Sequence, residues 1–335
     1  MVGTERQRHR RPARRRPRTG LASGWLPWGM ILLLGLLILA LSGPAAAQGL
    51  PVRPVLDADN GVVGLELYTG AGPWEVFTGG GYGLFSGRGH YGVGVSHTGP
   101  GQQLTLLYRD WPGSLVEGRD GQTGTGLRWT WSPAWGPTVH LNAFQGALWT
   151  HDDRLNPERV WLVTGEASYA FRLGNQWLLT PRLTSVYGRS LETESPFTSH
   201  LLTARLRRGW TGLQLAAGHL WTHELAGFRW ELGGGGKVPL RGYEPGFKAG
   251  EWLVGASLEH RVPLPWETPL AQLQVAFFID TADALAAHES LRELDLATGY
   301  GLGLVIATPL GELHGDLGWN PEGKMVPSVW LSAAF

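Results

Sequence analysis

The sequence contains no cysteine, few charged residues and no long apolar run beyond residue 48. Without cysteine the chain has no disulfide framework, no thiol nucleophile and no site for lipoprotein attachment. Charged residues make up only 17% of the 335 residues, which is not typical of a soluble surface. A membrane-spanning helix needs about 20 apolar residues. Any crossing of a membrane beyond residue 48 must therefore use strands.

Catalytic and metal-binding motifs are also missing from the sequence. There is no H-E-x-x-H pair for zinc and no G-x-S-x-G nucleophile turn. Gly233 to Lys237 resembles a phosphate-binding loop only superficially, because Val238 follows where that motif has serine or threonine. The sequence predicts no enzyme, no cofactor and no metal. A membrane-embedded hydrolase is the least favoured hypothesis, since no nucleophile set is visible.

The N-terminus predicts export. Residues 1–47 hold eight arginines and one glutamate, and Met30–Leu41 is an apolar run that precedes the small residues Ala45–Ala47. This is the order of a secretory signal peptide, and the run is short for a retained anchor. We therefore expect a cleaved signal peptide over 1–47, a periplasmic linker over 48–59 and a single domain over 60–335. Without its basic leader the chain is mildly acidic, which argues against nucleic acid as a partner.

Glycine and tryptophan are abundant, with 50 and 17 residues. Beyond residue 60, short segments alternate apolar and polar residues between clusters of glycine, proline, asparagine and aspartate. Trp161–Leu173 is the clearest case, and Leu202–Arg207 and Phe228–Leu232 follow the same pattern. Strands with one lipid-facing and one lumen-facing side produce this alternation. About sixteen such segments predict an all-β fold, a transmembrane antiparallel β-barrel.

The C-terminal segment is a candidate sorting strand. Val329, Leu331, Ala333 and Phe335 alternate with other residues, and the chain ends on phenylalanine. An aromatic last residue on an alternating strand resembles the sorting signal of bacterial outer-membrane barrels. Together with the leader, it predicts location in the outer membrane, with the lipid of that membrane as a partner.

One loop is expected to fold back into the lumen. Gly233–Gly236 are four consecutive glycines, and Leu240, Arg241, Gly242 and Tyr243 follow them. The parity of the next segments turns Glu259 and Asp280 toward the lumen. Because a guanidinium can hold a carboxylate with two hydrogen bonds, we predict that Arg241 contacts Asp280, with Glu259 nearby. The alternative is a solvated surface loop in which Arg241 pairs with nothing.

The same loop motif resembles the (V/L)RG(F/Y) motif of the bacterial surface antigen family. That superfamily holds outer-membrane barrel-assembly factors and two-partner secretion transporters. Three later stretches resemble family motifs in the same order: Leu258–Leu264, which contains Glu259 and Arg261; Phe278–Ala282, which contains Asp280; and Gly301–Gly311. The resemblance covers Leu232–Phe335. It implies a motif loop at Leu240–Tyr243 and wall partners at Asp280, Glu259, Arg261 and Phe278.

The resemblance also implies a function. Family members assist assembly of outer-membrane proteins or passage of secreted polypeptides, and carry periplasmic repeat domains ahead of the barrel. Since the expected linker is only about a dozen residues, we expect a barrel-only member and a separate periplasmic accessory chain as a candidate partner. The expected substrates are unfolded outer-membrane or secreted polypeptides, handled at a seam between Val62–Thr69 and Pro327–Phe335. The alternative is a passive pore for small solutes.

Overall fold

A computed structural model describes residues 52–57, 62–83, 88–112, 121–149, 157–222, 229–234, 237–268, 271–308 and 311–332. Apart from one short 3-10 turn at Leu291–Glu293, the regular elements in these ranges are strands. Their bounds are β1 Val52–Asp57, β2 Val62–Ala71, β3 Trp74–Gly83, β4 Arg88–Gly99, β5 Gln102–Pro112, β6 Gly121–Trp131, β7 Thr138–Trp149, β8 Glu158–Ser168, β9 Phe171–Leu173, β10 Trp177–Ser190, β11 Pro196–Arg208, β12 Thr211–Thr222, β13 Trp230–Leu232, β14 Lys248–Gly250, β15 Trp252–Thr268, β16 Ala271–Leu285, β17 Ala297–Thr308, β18 Gly311–Trp319 and β19 Met325–Ser332.

The strands form one antiparallel meander in which neighbours in sequence are neighbours in space. β8 and β9 are two parts of one interrupted strand, since both pair with β10. β13 and β14 pair only with each other among the described residues, so β12 is followed in the sheet by β15. The meander therefore has sixteen strand positions, and the predicted all-β barrel fold is confirmed. Within the described ranges no ladder joins β1 to β19.

Two strand assignments differ from the expectation. β1 lies inside the segment expected to be a linker and pairs with β2 from Val52↔Leu67 to Asp57↔Val62. In the sequence Pro51 comes just before this strand and Pro54 interrupts it, so too few residues alternate for the pattern to be visible. The sequence predicts that Phe228–Leu232 is a wall strand, but its described part forms the short β13, which pairs with β14 in the loop between β12 and β15. Trp230 and Leu232 are apolar there because they pack inside the lumen, where they are 4% and 1% exposed.

The outer face of the sheet is apolar and exposed. Leu67, Leu202 and Phe277 are each more than half exposed, as expected for side chains that meet lipid. Exposed aromatic residues gather near both ends of the strands: Trp74, Trp131, Trp177 and Trp210 beside the short turns, and Tyr91, Tyr187, Trp221, Trp252 and Tyr300 at the opposite end. Trp177 and Tyr187 lie ten residues apart on β10, which corresponds to about 25 Å along the axis of a tilted strand.

The inner face holds both polar and apolar residues. The loop between β12 and β15 lies inside the barrel, and the wall side chains that face it form a buried apolar cluster with it. This part of the interior is therefore filled by side chains rather than by water. The cluster unites Phe144, Leu148, Val160, Leu162, Val186, Phe197, Leu201, Leu220 and Leu253 of the wall with Trp230, Leu232, Leu240 and Tyr243 of the loop. Burial of this apolar surface stabilises the inserted loop.

Several sequence predictions fall outside the described residues. The signal peptide at 1–47 lies there, as do Ala333 and Phe335 of the sorting strand. Val329 and Leu331 lie in β19, opposite Gly315 and Leu313. Among the described helical residues, none belongs to a helix long and apolar enough to cross a membrane.

Candidate functional site

The loop between β12 and β15, here called the lumen loop (residues 229–251, described except for 235 and 236), folds into a compact hairpin. Its base is the β13–β14 ribbon, and its tip is closed by a bridge between Gly234 and Leu240. The backbone amide of Gly234 donates to the carbonyl of Tyr243 at 2.9 Å. Gly233 and Gly234 have φ of 119° and 72°, which favour glycine. This turn places Arg241 at the tip.

Arg241 is buried against Asp280 of β16. Its Nε donates to Oδ2 at 2.7 Å and its Nη2 donates to Oδ1 at 2.8 Å, which is the two-bond geometry of a guanidinium on a carboxylate. The backbone amide of Arg241 also donates to Oδ2, at 3.0 Å. The side chains of Arg241 and Asp280 are 1% and 0% exposed. The contact is therefore an interior anchor for the loop.

Two further carboxylates complete the arginine's surroundings. Nη1 donates to Glu259 Oε2 at 2.7 Å and to Asp316 Oδ2 at 3.4 Å. Ser257 links the set, since its hydroxyl lies 3.3 Å from Arg241 Nη2 and donates to Asp280 at 2.7 Å. The guanidinium carbon lies 3.5 Å from the ring centroid of Phe278, a cation–π contact. One side chain thus joins β15, β16 and β18.

The charges around Arg241 keep it protonated. Burial lowers the pKa of the Arg241 side chain, but hydrogen bonding to Asp280 and the charges of Asp280, Glu259 and Asp316 outweigh it, so the pKa lies above its usual value. Carboxylates outnumber Arg241 in this site. Arg261 compensates part of their negative charge, because it donates to Glu259 at 2.7 Å and to Glu312 at 2.8 Å. Arg241 therefore carries its positive charge inside the barrel, where the three carboxylates compensate it.

Glycines of the wall make room for the loop backbone. A Cβ on Gly299 of β17 would lie 1.7 Å from the carbonyl oxygen of Arg241, and a Cβ on Gly318 of β18 would lie 2.3 Å from the amide nitrogen of Gly242. Gly242 itself has φ of 100° and faces the carbonyl of Trp319. The loop and the wall therefore meet backbone to backbone, which only residues without a side chain permit.

The last strand is tied to the same network. Trp330 of β19 donates its indole N–H to Asp316 Oδ2 at 2.7 Å, and its ring stacks on His314 at 3.8 Å. His314 lies 3.2 Å from Glu312, which Arg261 joins to Glu259 and so to Arg241. The contacts close a ring that runs through the loop, β15, β18 and β19, so the position of Arg241 and that of the last strand are coupled.

Trp330→Phe tests this coupling. The substitution removes the hydrogen bond to Asp316, and we expect the free energy of unfolding to fall by about 1–2 kcal/mol. The measurement is urea unfolding of the detergent-solubilised protein, followed by heat-modifiable gel mobility. Trp210→Phe is the matched control, because its 40% exposed indole lies at a turn and its loss should cost less than about 0.5 kcal/mol. Equal losses in the two variants would contradict the coupling.

The parts of the loop outside its tip also contact the wall. Tyr243 donates its hydroxyl to the carbonyl of Thr298 at 3.3 Å, and Lys248 pairs with the buried Asp283. Lys324, in the turn before β19, bonds Glu244 at 2.9 Å, but both side chains are more than half exposed. Solvent screens the last pair, so it contributes little. The interior contacts therefore determine the position of the loop.

The structure brings together all the residues singled out from the sequence for the loop and its wall. Leu240 and Tyr243 are buried beside Arg241, its side chain contacts Asp280, Glu259 and Phe278, and Arg261 joins the site through Glu259. Sequence reasoning missed Asp316, Trp330, Gly299 and Gly318. Asp316 and Trp330 have the inward parity of their strands, which was the available signal, but their pairing with a distant loop was not visible.

A protein-family model described as the Omp85 superfamily domain matches residues 144–325, which is more than half of the chain. The chain belongs to the Omp85 superfamily. This confirms the resemblance to outer-membrane barrel-assembly factors and two-partner secretion transporters. No protein of curated function matches the sequence.

Solved structures agree with the Omp85 assignment at the level of the fold. CdiB from Escherichia coli matches with a TM-score of 0.53 and 13% identity over 85% of this chain and 63% of that one. CdiB from Acinetobacter baumannii (TM-score 0.47, 13% identity, 82% and 56% coverage) and BamA from Haemophilus ducreyi lacking POTRA domains 1-3 (0.47, 14%, 82% and 66%) also match. The chain thus spans less than two thirds of each.

Membership of the Omp85 superfamily indicates the outer membrane as the location of this barrel. Omp85 proteins handle polypeptide substrates and work with partner proteins. In this Omp85 chain the family loop motif, Leu240–Tyr243, is the buried tip described above.

Proposed function

We propose that this chain assists the insertion of outer-membrane proteins or the passage of polypeptides across the outer membrane. The observation that carries the proposal is the buried Arg241, which fastens the lumen loop to β15, β16 and β18. A loop held in this way closes part of the lumen and braces the wall beside the last strand. In this proposal the protein makes or breaks no covalent bond and uses no cofactor.

The strand edges support this role. The first strand, β1, has six residues, and no ladder between β1 and β19 occurs within the described ranges. Pro327 of β19 has no backbone N–H to donate. Exposed backbone groups at a strand edge can pair with an incoming strand. We propose that a substrate polypeptide adds to this edge while the anchored loop keeps the neighbouring strands in place.

Export through a cleaved leader over 1–47 and cooperation with a separate periplasmic chain belong to the same proposal. They follow from the arginine-rich, apolar and small-residue order of the N-terminus and from the working mode of the superfamily. Retention of residues 1–47 in the membrane-inserted protein, seen by mass spectrometry of the intact chain, would contradict the leader assignment.

The function is tested by depletion. When the protein is depleted from its cells, we expect the level of at least one other outer-membrane barrel or secreted protein to fall severalfold, while inner-membrane proteins are unchanged. Complementation with the wild type should restore the level, and complementation with Arg241→Ala should restore it only partly. Unchanged barrels and secreted proteins after complete depletion would refute the proposal and favour the passive pore.

A reconstituted assay separates assembly from passage. Urea-unfolded outer-membrane barrels are added to liposomes that contain this protein, and folding is followed by heat-modifiable mobility. Faster folding than in empty liposomes supports an insertion role. Equal rates, combined with uptake of a secreted polypeptide into the vesicles, assign the protein to passage instead.

A further inference from the structure

Three polar side chains lie side by side on the outer face of the barrel, next to its short turns. Arg208 of β11 pairs with Thr211 of β12, and Thr211 pairs with His260 of β15. We call these three residues the polar row. They face outward because they have the parity of exposed leucines on the same strands, namely Leu202, Leu215 and Leu258. The polar row therefore interrupts a face that is otherwise apolar and meets lipid.

The polar row lies at the level of the membrane interface. Trp177 pairs with Arg208 from β10, and Trp210 lies in the turn that follows Arg208; their side chains are 39% and 40% exposed. Tryptophan is typical of the head-group level of a membrane. The strands end on this side mostly in turns of two or three residues, such as 209–210, and on the other side in longer loops such as 286–296. Because short turns of bacterial barrels are periplasmic, the polar row meets the periplasmic leaflet, which consists of phospholipids.

Arg208 brings a positive charge to this interface. Its guanidinium carbon lies 5.5 Å from the centroid of the Trp177 ring, and such a contact orients the group without neutralising it. Within the described ranges Arg208 forms no ion pair, whereas the outward Arg189 at the opposite end of the barrel pairs with Glu194. The described turns on the periplasmic side contain no aspartate or glutamate. The side chain of Arg208 is exposed, so its charge is available to an anion outside the barrel.

Thr211 orients the imidazole of His260. Its Oγ1 lies 2.8 Å from Nδ1, and when the hydroxyl donates to Nδ1 the other ring nitrogen, Nε2, carries a proton that it can donate to a ligand. Glu259, next to His260 in the chain, faces the lumen and bonds Arg241 there, so it lies on the other side of the sheet. Arg208 and His260 are two strand spacings apart, about 10 Å, which is comparable to the size of a phosphate with a glycerol unit attached.

The polar row offers the donors that a phosphate head group needs, because a guanidinium can bind a phosphate through two parallel hydrogen bonds. The apolar face continues directly from the polar row with Leu206 and Leu213, where acyl chains can lie. The row contains no carboxylate that would favour a lipid ammonium group. We propose that Arg208, Thr211 and His260 bind the head group of an anionic phospholipid of the periplasmic leaflet, with Arg208 on its phosphate. This inference goes beyond the proposed function and does not depend on it.

Native mass spectrometry of the purified protein in a mild detergent tests the proposal. Dioleoylphosphatidylglycerol is titrated, and the affinity for the first bound lipid is compared with that for dioleoylphosphatidylethanolamine. We expect the phosphatidylglycerol to bind about tenfold more tightly. Arg208→Gln should weaken its binding about tenfold, since charge-assisted hydrogen bonds to the phosphate are lost. His260→Leu removes one donor and should weaken it about threefold.

Arg189→Gln is the matched control, because it removes an outward arginine from the opposite end of the barrel. Its affinity for phosphatidylglycerol should equal that of the wild type. Arg208→Lys keeps the charge but not the two-bond geometry, so an intermediate loss is expected. Unchanged heat-modifiable mobility verifies that the variants are folded.

Three results would overturn the proposal. The first is equal affinity of the wild type for the two lipids, and the second is the same affinity for phosphatidylglycerol in Arg208→Gln and Arg189→Gln. The third is displacement of the bound lipid by inorganic phosphate at the same concentration, which would assign the polar row to a phosphate from solution. In the first two cases the polar row only ends the lipid-facing surface.

Discussion

Replacing Arg241 with alanine is expected to lower the free energy of unfolding by about 3–5 kcal/mol. The substitution leaves Asp280 and Asp316 buried at 0% exposure, with the cation that compensates them removed. A buried carboxylate without its partner costs far more than the loss of an exposed ion pair. The measurement is urea unfolding in detergent, followed by tryptophan fluorescence and by heat-modifiable mobility.

The controls separate charge, geometry and general damage. Arg241→Lys keeps the charge but cannot form the two-bond contact with Asp280, so an intermediate loss is expected. Adding Asp280→Ala to Arg241→Ala should recover part of the stability, because it removes a stranded charge. Arg189→Ala, at an exposed pair with Glu194, should cost less than about 1 kcal/mol. Similar losses for Arg189→Ala and Arg241→Ala would refute the anchor.

Gly299→Ala is expected to displace the lumen loop while the wall stays folded. A methyl group at this position would lie 1.7 Å from the carbonyl oxygen of Arg241, a backbone atom held by the loop's own contacts. The loop has to leave its site, which exposes Arg241 to solvent. We therefore expect trypsin cleavage after Arg241 to become at least about tenfold faster, since proteolysis follows local opening.

Gly212→Ala is the matched control for this displacement. Gly212 is on the inner face of β12, level with Glu259, and an added Cβ there has no atom within 4 Å. Its cleavage rate should equal that of the wild type. If Gly299→Ala is as resistant to trypsin as Gly212→Ala, the close approach of loop and wall does not hold the loop. Heat-modifiable mobility shows whether the barrel itself remains intact.

Much of the wall could be predicted from the sequence, because alternate side chains of a spanning strand face lipid and lumen. Apolar residues therefore recur at every second position. Leu202 and Arg205, three residues apart, point to opposite sides as the alternation requires, and Leu202 is 51% exposed. Phe228–Leu232 follows the same period and misled the prediction. Trp230 is buried by the lumen rather than exposed to lipid, and period two alone does not tell these environments apart.

The sequence predicted the loop and its first two acceptors, but it did not predict the residues of the later strands that complete the site. The four glycines and Arg241 identify a loop, and the parity of Glu259 and Asp280 points both at it. Asp316 lies 75 residues beyond Arg241, and its approach depends on the curvature of the whole sheet. Gly299 and Gly318 could not be separated from the many other glycines, because their role appears only when the loop backbone lies against them.

The acceptors of Arg241 have a consequence for the order of assembly. Glu259, Asp280 and Asp316 lie 18, 39 and 75 residues downstream of the arginine. Closing the longer intervals costs more chain entropy, so the first two acceptors can engage before the third. Seating of the arginine is complete only once the C-terminal hairpin has arrived. In a chain that ends before β18, Arg241 could bond only Glu259 and Asp280. Its third acceptor, Asp316, would be missing until β18 and β19 join the sheet.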